Sequence, residues 1–213
     1  MDVDDEPSAA PAETSGFSFA PLKTHRTASN TTSTRKVTVP PNRLTPLKRD
    51  WMALYTPLVE ECGLQVRMNP KKRCVEMKTS KHTPEPAGTI LQKAVDFLQA
   101  YNTGFSAEDA IALLRMDSLY IESFQVKDVK PLHGDHLSRA IGRIAGHNGK
   151  TRFTIENATR TRIVLADDKI SILGTFEGIR MARDAVCRLI MGSPPGKVYN
   201  SLKVVAARAR GRY

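Results

Sequence analysis

Cysteine is scarce. Cys62, Cys74 and Cys187 are the only three, widely spaced and without a CxxC pair, which excludes a disulfide framework or a cysteine-built zinc site and fits a reducing compartment. No apolar run approaches the length of a membrane span. The opening Asp2-Val3-Asp4-Asp5-Glu6 is acidic where a secretory leader would be basic and then apolar. The expectation is a soluble intracellular protein with no membrane contact. Catalytic signatures are missing as well. There is no GxSxG elbow, and Asp167-Asp168 and Asp4-Asp5-Glu6 read as a solvated turn and a solvated tail. His133-Gly134-Asp135-His136 is the nearest thing to a metal cluster, but a glycine and a capping aspartate ahead of a helix account for it. Neither catalysis, a cofactor nor a metal is expected.

Positive charge, by contrast, is plentiful and uneven. The formal net charge is +10, and from His133 onward 15 Lys and Arg stand against six Asp and Glu. A basic half of this kind suits a polyanionic partner. Within it lies Ile144-Ala145-Gly146-His147-Asn148-Gly149-Lys150-Thr151, a GxxG loop between two helix-forming segments. Two glycines let the backbone turn sharply and approach a ligand closely, and the following helix points unpaired N–H groups at whatever fills the loop. The pattern reads as a clamp for the phosphates of single-stranded RNA. Gly149-Lys150-Thr151 also has the ending of a P-loop, but the glycine that motif needs five positions earlier is Ile144. A G-x-G-x-x-G dinucleotide fingerprint does not fit either.

The periodicities from Arg35 onward repeat one plan, β-α-α-β-β-α, twice. In the first half Lys36–Val39 is a strand, and Thr45-Pro46 predicts a helix start ahead of the stripe Leu47, Trp51, Leu54, Tyr55 and Leu58. Pro57, with Thr56 as a second cap, is expected to divide that stripe into two helices. Leu64, Val66 and Met68 alternate, turn at Asn69-Pro70-Lys71-Lys72, and return through Val75 and Met77. Leu91, Ala94, Val95 and Leu98 supply a closing helix, and a further helix is capped by Ser106. The second half runs from a strand at 120–126 to a helix capped by Asp135, then the glycine loop and a helix from Lys150 to about Asn157. Strands at 160–165 and 169–173 follow, with a last helix capped by Thr175.

This order, with Ile144-Ala145 before the loop and Lys150-Thr151 after it, resembles the eukaryotic-type KH domain over about residues 120–192. The resemblance implies an α+β protein of two tandem eukaryotic-type KH-like domains. Their expected limits are a disordered tail at 1–34, a degenerate domain at 35–118, a domain with the GxxG loop at 119–192, and a basic, partly helical tail at 193–213. In the last, Val198, Leu202, Val204 and Val205 are expected to dock. The first domain lacks the loop, because Leu54-Tyr55-Thr56-Pro57 is expected between its first helices. It is left to contact protein, to meet RNA through side chains, or to serve structure alone. KH modules grip about four nucleotides. By that likeness Gly146, His147, Asn148 and Gly149 meet phosphates, with Lys150, Thr151, Arg143 and Arg139 beside them. Ile141, Ile144, Phe153 or Ile155, and Val164 line the base groove, and Arg160 and Arg162 reach out from the strand. Arg152 stands where KH domains carry an apolar residue, so Phe153 or a shifted helix face is expected to complete the core.

The longer strings Arg160-Thr161-Arg162-Ile163-Val164-Leu165-Ala166-Asp167-Asp168-Lys169-Ile170 and Gly192-Ser193-Pro194-Pro195-Gly196-Lys197-Val198-Tyr199 are similar to the "partner of Nob" family of ribosome-assembly factors. That resemblance implies a small-subunit assembly factor of the nucleolus and nucleus that passes to the cytoplasm on pre-ribosomal particles. Its partners would be the 3′ region of single-stranded ribosomal RNA precursor, the endonuclease of small-subunit rRNA maturation, and other pre-ribosomal proteins. A protein scaffold whose KH domains contact partners more than RNA is the alternative.

Overall fold

Alternation in the first half places Val37, Val75 and Met77 on one side of a sheet and Lys36, Glu76 and Arg67 on the other, which decides where the helices must lie. The computed structural model describes residues 33–84 and 86–210. The expected tail at 1–34 therefore falls almost entirely outside the described residues. Strands β1 (Thr34–Thr38), β2 (Leu64–Asn69) and β3 (Cys74–Thr79) form an antiparallel sheet in the order β1-β3-β2. The β2–β3 turn is tied by Asn69 Oδ1, which accepts from Lys72 N–H at 3.2 Å. Helices α1 (Leu44–Arg49), α2 (Trp51–Glu60) and α3 (Ala87–Thr103) cover its apolar face. Leu47, Leu54, Leu58, Met77, Phe97 and Leu98 are buried there, and truncating one such leucine to alanine costs about 2–5 kcal/mol. Helix α4 (Ala107–Arg115) follows, with Ser106 as its cap accepting from Asp109 N–H.

The second half repeats the arrangement with β4 (Tyr120–Gln125), β5 (Arg162–Ala166) and β6 (Lys169–Gly174) in the order β4-β6-β5. A short helix α5 (Val126–Val129) precedes α6 (Asp135–Ala145), and α7 (Lys150–Thr159) and α8 (Phe176–Met191) complete the layer. Ile144, Ile155, Ile163, Ile172, Ala182, Val186 and Leu189 form its core. Thr175 caps α8 by accepting from Gly178 N–H, and Gly192 ends it at φ 104°, the left-handed position that glycine tolerates. A ninth helix, α9 (Pro195–Arg210), packs on α7 and α8. Val198, Leu202 and Ala206 are the residues it buries, whereas Val204 and Val205 stay exposed.

The described residues fall in one compact unit, and the two halves share a boundary built on the back of the second sheet. Cross-strand partners Arg162, Leu173 and Ile121 form one row of that face. Leu173 is buried in the first half's core, with Ile121, Leu119 and Val164 packed against it. Asp109 of α4 reaches across to Arg162 Nε at 2.9 Å.

Several local expectations are corrected. Pro57 does not divide the first helical stripe, because it sits within α2 and the break lies at Asp50. Thr56 is inside the helix as well, donating from Oγ1 to Met52 O at 2.9 Å. A helix accommodates one proline where the carbonyl it leaves free has another partner or water. Thr45-Pro46 lie inside α1, whose entry is a 3-10 turn at Pro41–Arg43. The residue at the cap of α6 is Gly134, with Asp135 in the first turn. Phe153 does not complete the second core, being 58% exposed. The other expectation holds, a shifted face of α7 that buries Thr151, Ile155 and Thr159.

Candidate nucleic-acid interface

Helix α6 stops at Gly146 because the backbone there takes φ 73°, ψ 176°, a conformation essentially restricted to glycine. A 3-10 turn at His147–Gly149 follows, with Asn148 and Gly149 both left-handed (φ 51° and 74°). Gly149 is the N-cap of α7, and no side chain caps that end. His147 and Asn148 are exposed at the tip, and Lys150 is exposed one step further on. The result is an uncapped helix N-terminus behind a solvent-facing backbone turn, which has the electrostatics of an anion site.

The loop is held from beneath by Thr151. A Cβ on Gly146 would lie 2.2 Å from Thr151 Oγ1 and 2.8 Å from Thr151 N. Only a bare α-carbon allows this closeness. Tyr199 of α9 donates its hydroxyl to Thr151 Oγ1 at 2.9 Å. Thr151 is thus a buried support of the turn and is not presented to solvent. Sequence reasoning missed Tyr199 in this role, since nothing in the spacing of a C-terminal helix announces a contact 48 residues away. It missed Glu156 too. This buried carboxylate accepts from Ile163 N–H at 2.8 Å and ties α7 to the edge of β5. Its place on the same helical face as Thr151, Ile155 and Thr159 was the available signal.

The other expected site residues separate into two groups. Arg139 is exposed on α6, and Arg160 is an exposed left-handed residue ending α7. Arg143 is half-buried, donating to Leu189 O (3.1 Å) and Ile190 O (3.4 Å), where a cation suits the carbonyl end of α8. Arg162 is turned to the back of the sheet, and its bond to Asp109 raises its already high pKa. Ile144 is fully buried in the core, as is Ile155. Val164 packs toward the first half, where a Cβ on Gly104 would come within 2.9 Å of its Cγ1. Phe153 points into a separate apolar trough of about 510 Å³ between α7 and α9. Of the side chains expected to line the groove, Ile141 alone is half-exposed on the second half's helical face; Leu165, half-buried on β5, packs against the second core.

The corresponding junction of the first half is chemically opposite. It is the single residue Asp50, which accepts from Tyr101 OH at 2.9 Å and from Arg49 Nε at 2.9 Å. Those two bonds hold the carboxyl below its ordinary pKa, Arg49 contributing most. An anion at that point repels phosphate. Among the described residues no cluster of three His, Cys, Asp or Glu side chains could hold a metal.

Two units of β-α-α-β-β-α plan, one carrying a glycine loop between its helices α6 and α7, define an RNA-binding protein of the KH class. A family model for the eukaryotic-type (type I) KH domain matches residues 123–207. The pre-rRNA-processing protein PNO1 of Debaryomyces hansenii is 64% identical over 179 residues, which is 84% of this chain and 69% of that one. Its counterpart in Schizosaccharomyces pombe is 57% identical over 212 residues, 100% of this chain and 84% of that one. Among solved structures, a chain in the a/eIF2alpha–aDim2p–rRNA complex from Pyrococcus horikoshii superposes with a TM-score of 0.71 at 26% identity, covering 84% of this chain and 97% of that one. The chain belongs to the PNO1 family of pre-rRNA-processing proteins.

Proposed function

We propose that this chain is a non-catalytic assembly factor of the small ribosomal subunit. It grips the 3′ region of the pre-ribosomal RNA as a single strand and positions the maturing endonuclease. The observation that carries the reading is the turn at Gly146–Gly149, with its uncapped helix start and its two exposed tip residues. Gly146, His147, Asn148 and Gly149 meet phosphates through main-chain N–H groups, Lys150 and Arg139 add charge beside them, and Arg160 lies further along. Ile144, Thr151, Arg143 and Arg162 act as supports in this reading. The similar chain from the a/eIF2alpha–aDim2p–rRNA complex of Pyrococcus horikoshii is in keeping with an RNA contact made inside a larger assembly. Work in the nucleolus and nucleus, followed by passage to the cytoplasm on the particle, belongs to the same proposal. So do domain limits near residues 35, 119 and 193.

A module that neutralises about three or four phosphates on a single strand gives a salt slope of roughly −2 to −3. The full chain carrying His147→Asp and Asn148→Asp should lose at least about tenfold in affinity for an unstructured 3′ pre-rRNA fragment, with an unchanged unfolding midpoint. Unchanged affinity at moderate salt would remove the loop from the reading. If capture of the endonuclease then survived ribonuclease treatment, a protein scaffold would take its place.

A further inference from the structure

We infer that the open back of the first half's sheet, together with its β2–β3 turn, is a separate binding face for the phosphates of base-paired RNA. The inference rests on the reading of this chain as a ribosomal RNA factor, and it gives the loop-less half a ligand of its own. The backs of the two sheets differ. In the second half the row Arg162, Leu173 and Ile121 is covered by the first half. In the first half the helices lie over Val37, Val75 and Met77, and the opposite side carries the cross-strand row Lys36, Glu76 and Arg67. Lys36 and Arg67 both pair with Glu76, yet their side chains stay 61% and 74% exposed. Lys78, two residues along β3 and therefore on the same side, is exposed as well.

The turn continues this charge. Lys71, Lys72 and Arg73 are exposed in it, and Arg73 stands at φ 49°, where glycine or asparagine would sit more easily. Arg73 O accepts from Val39 N–H at 2.9 Å, and Asn69 Oδ1 holds Lys72 N–H, so the tip is fastened to the ends of both β1 and β2. Arg67 above all, then Lys36 and Lys72, keep the Glu76 carboxyl below its ordinary range. Lys72 thus stands close enough to be felt on this side of the sheet. Three cations of the face and three of the turn oppose the single carboxylate of Glu76. The patch spans about 10 Å across three strands and about 20 Å from Lys78 to Lys72. It has the charge for a row of phosphates but nothing for unpaired bases. No aromatic residue and no glycine occurs in β1, β2, β3 or the turn, whereas single strands are held by base stacking or by close backbone approach. A duplex hides its bases and is met through phosphates and 2′-hydroxyls. Thr34 and Gln65, exposed in the row of Lys78, supply hydrogen-bonding groups for the latter. The helical side of this half, with the Asp50 carboxyl at its junction, has no such charge to offer.

The test uses the full chain with two probes, a blunt RNA duplex of about 16 base pairs and an unstructured RNA of about four nucleotides. The face variant is Lys71→Gln, Lys72→Gln, Lys78→Gln. A charge-matched control, Lys130→Gln, Lys197→Gln, Lys203→Gln, removes three cations that are equally exposed elsewhere. The face variant should lose at least about tenfold in duplex affinity and flatten the duplex salt slope by about 2–3, at an unchanged unfolding midpoint. The control should stay within about twofold of the unaltered chain. Equal losses in the two would mean that net charge alone binds the duplex, which overturns the inference. So would a face variant that binds the duplex normally, or one that loses the short single strand as much as the duplex. The loop variant His147→Asp, Asn148→Asp should weaken the single strand and keep the duplex. If the single strand is unaffected, the loop reading fails while the duplex result still decides the sheet face. Should the unaltered chain ignore the duplex at moderate salt yet bind polyglutamate in a way that the face variant abolishes, the face belongs to an acidic protein and the inference is overturned.

Discussion

Replacing Gly146 by alanine tests the loop at its most constrained point. The backbone at φ 73°, ψ 176° lies in a region that side chains avoid at about 1–3 kcal/mol. The new methyl would also stand 2.2 Å from Thr151 Oγ1 and 2.8 Å from Thr151 N. The hydroxyl can rotate, but the amide belongs to the first turn of α7 and moves only with it. Overpacking of this kind adds about 1–3 kcal/mol, so Gly146→Ala should cost about 2–6 kcal/mol in all. Gly149→Ala is the internal control. At φ 74°, ψ 7° it is simply left-handed, with no atom within 4 Å of the added carbon, and it should cost about 1–2 kcal/mol. Urea unfolding of both full-length variants measures the difference, with RNA affinity read in parallel, because the loop can shed strain by rearranging. Two variants indistinguishable in both stability and affinity would refute the argument that Thr151 fixes the turn.

Arg162→Ala should change stability by no more than about 1 kcal/mol, since its ion pair with Asp109 is half-exposed. It should leave RNA affinity within about twofold in a fluorescence titration; a large loss would move Arg162 back to the RNA face. Tyr199→Phe removes the donor to Thr151 Oγ1 and should cost about 0.5–1.5 kcal/mol, with broadened amide signals in the loop by nuclear magnetic resonance. Unaltered loop signals would separate α9 from the turn. Tyr101 has its pKa pushed up to about 12 from an ordinary 10.0, chiefly by burial and next by its bond to Asp50. The folded state therefore holds that proton more tightly, so the associated stability is complete below pH 10 and is lost as pH rises to about 12. Tyr101→Phe should flatten that alkaline decline in urea midpoints measured across the same range, and an unchanged slope would exclude the phenol as its source.

Period and punctuation made the repeated β-α-α-β-β-α plan legible, because Ser106 and Thr175 are real caps and the alternation around Asn69 and Asp167 is real hairpin chemistry. The glycine loop was legible for the same local reason. What was hidden is tertiary. Pro57 looks like a breaker until α2 is seen to run through it, with the chain turning at Asp50 instead. Arg162 alternates outward as expected and Val164 shares its face instead of lining the groove, because a strand's two faces are equivalent in a sequence and this one is covered by the first half. Ile144 and Thr151 flank the loop in the chain and lie under it in space, a distinction that spacing alone does not carry.

The covered back of the second sheet bears on any attempt to study one half by itself. Leu173 with Ile121, Leu119 and Val164 would be laid bare to water by a cut before residue 119, and an uncovered apolar strand face invites pairing with another copy. Severed fragments would then report on clumping before they reported on ligand. It follows that the loop-bearing half relies on a neighbour without such a loop to keep one of its strand faces out of water.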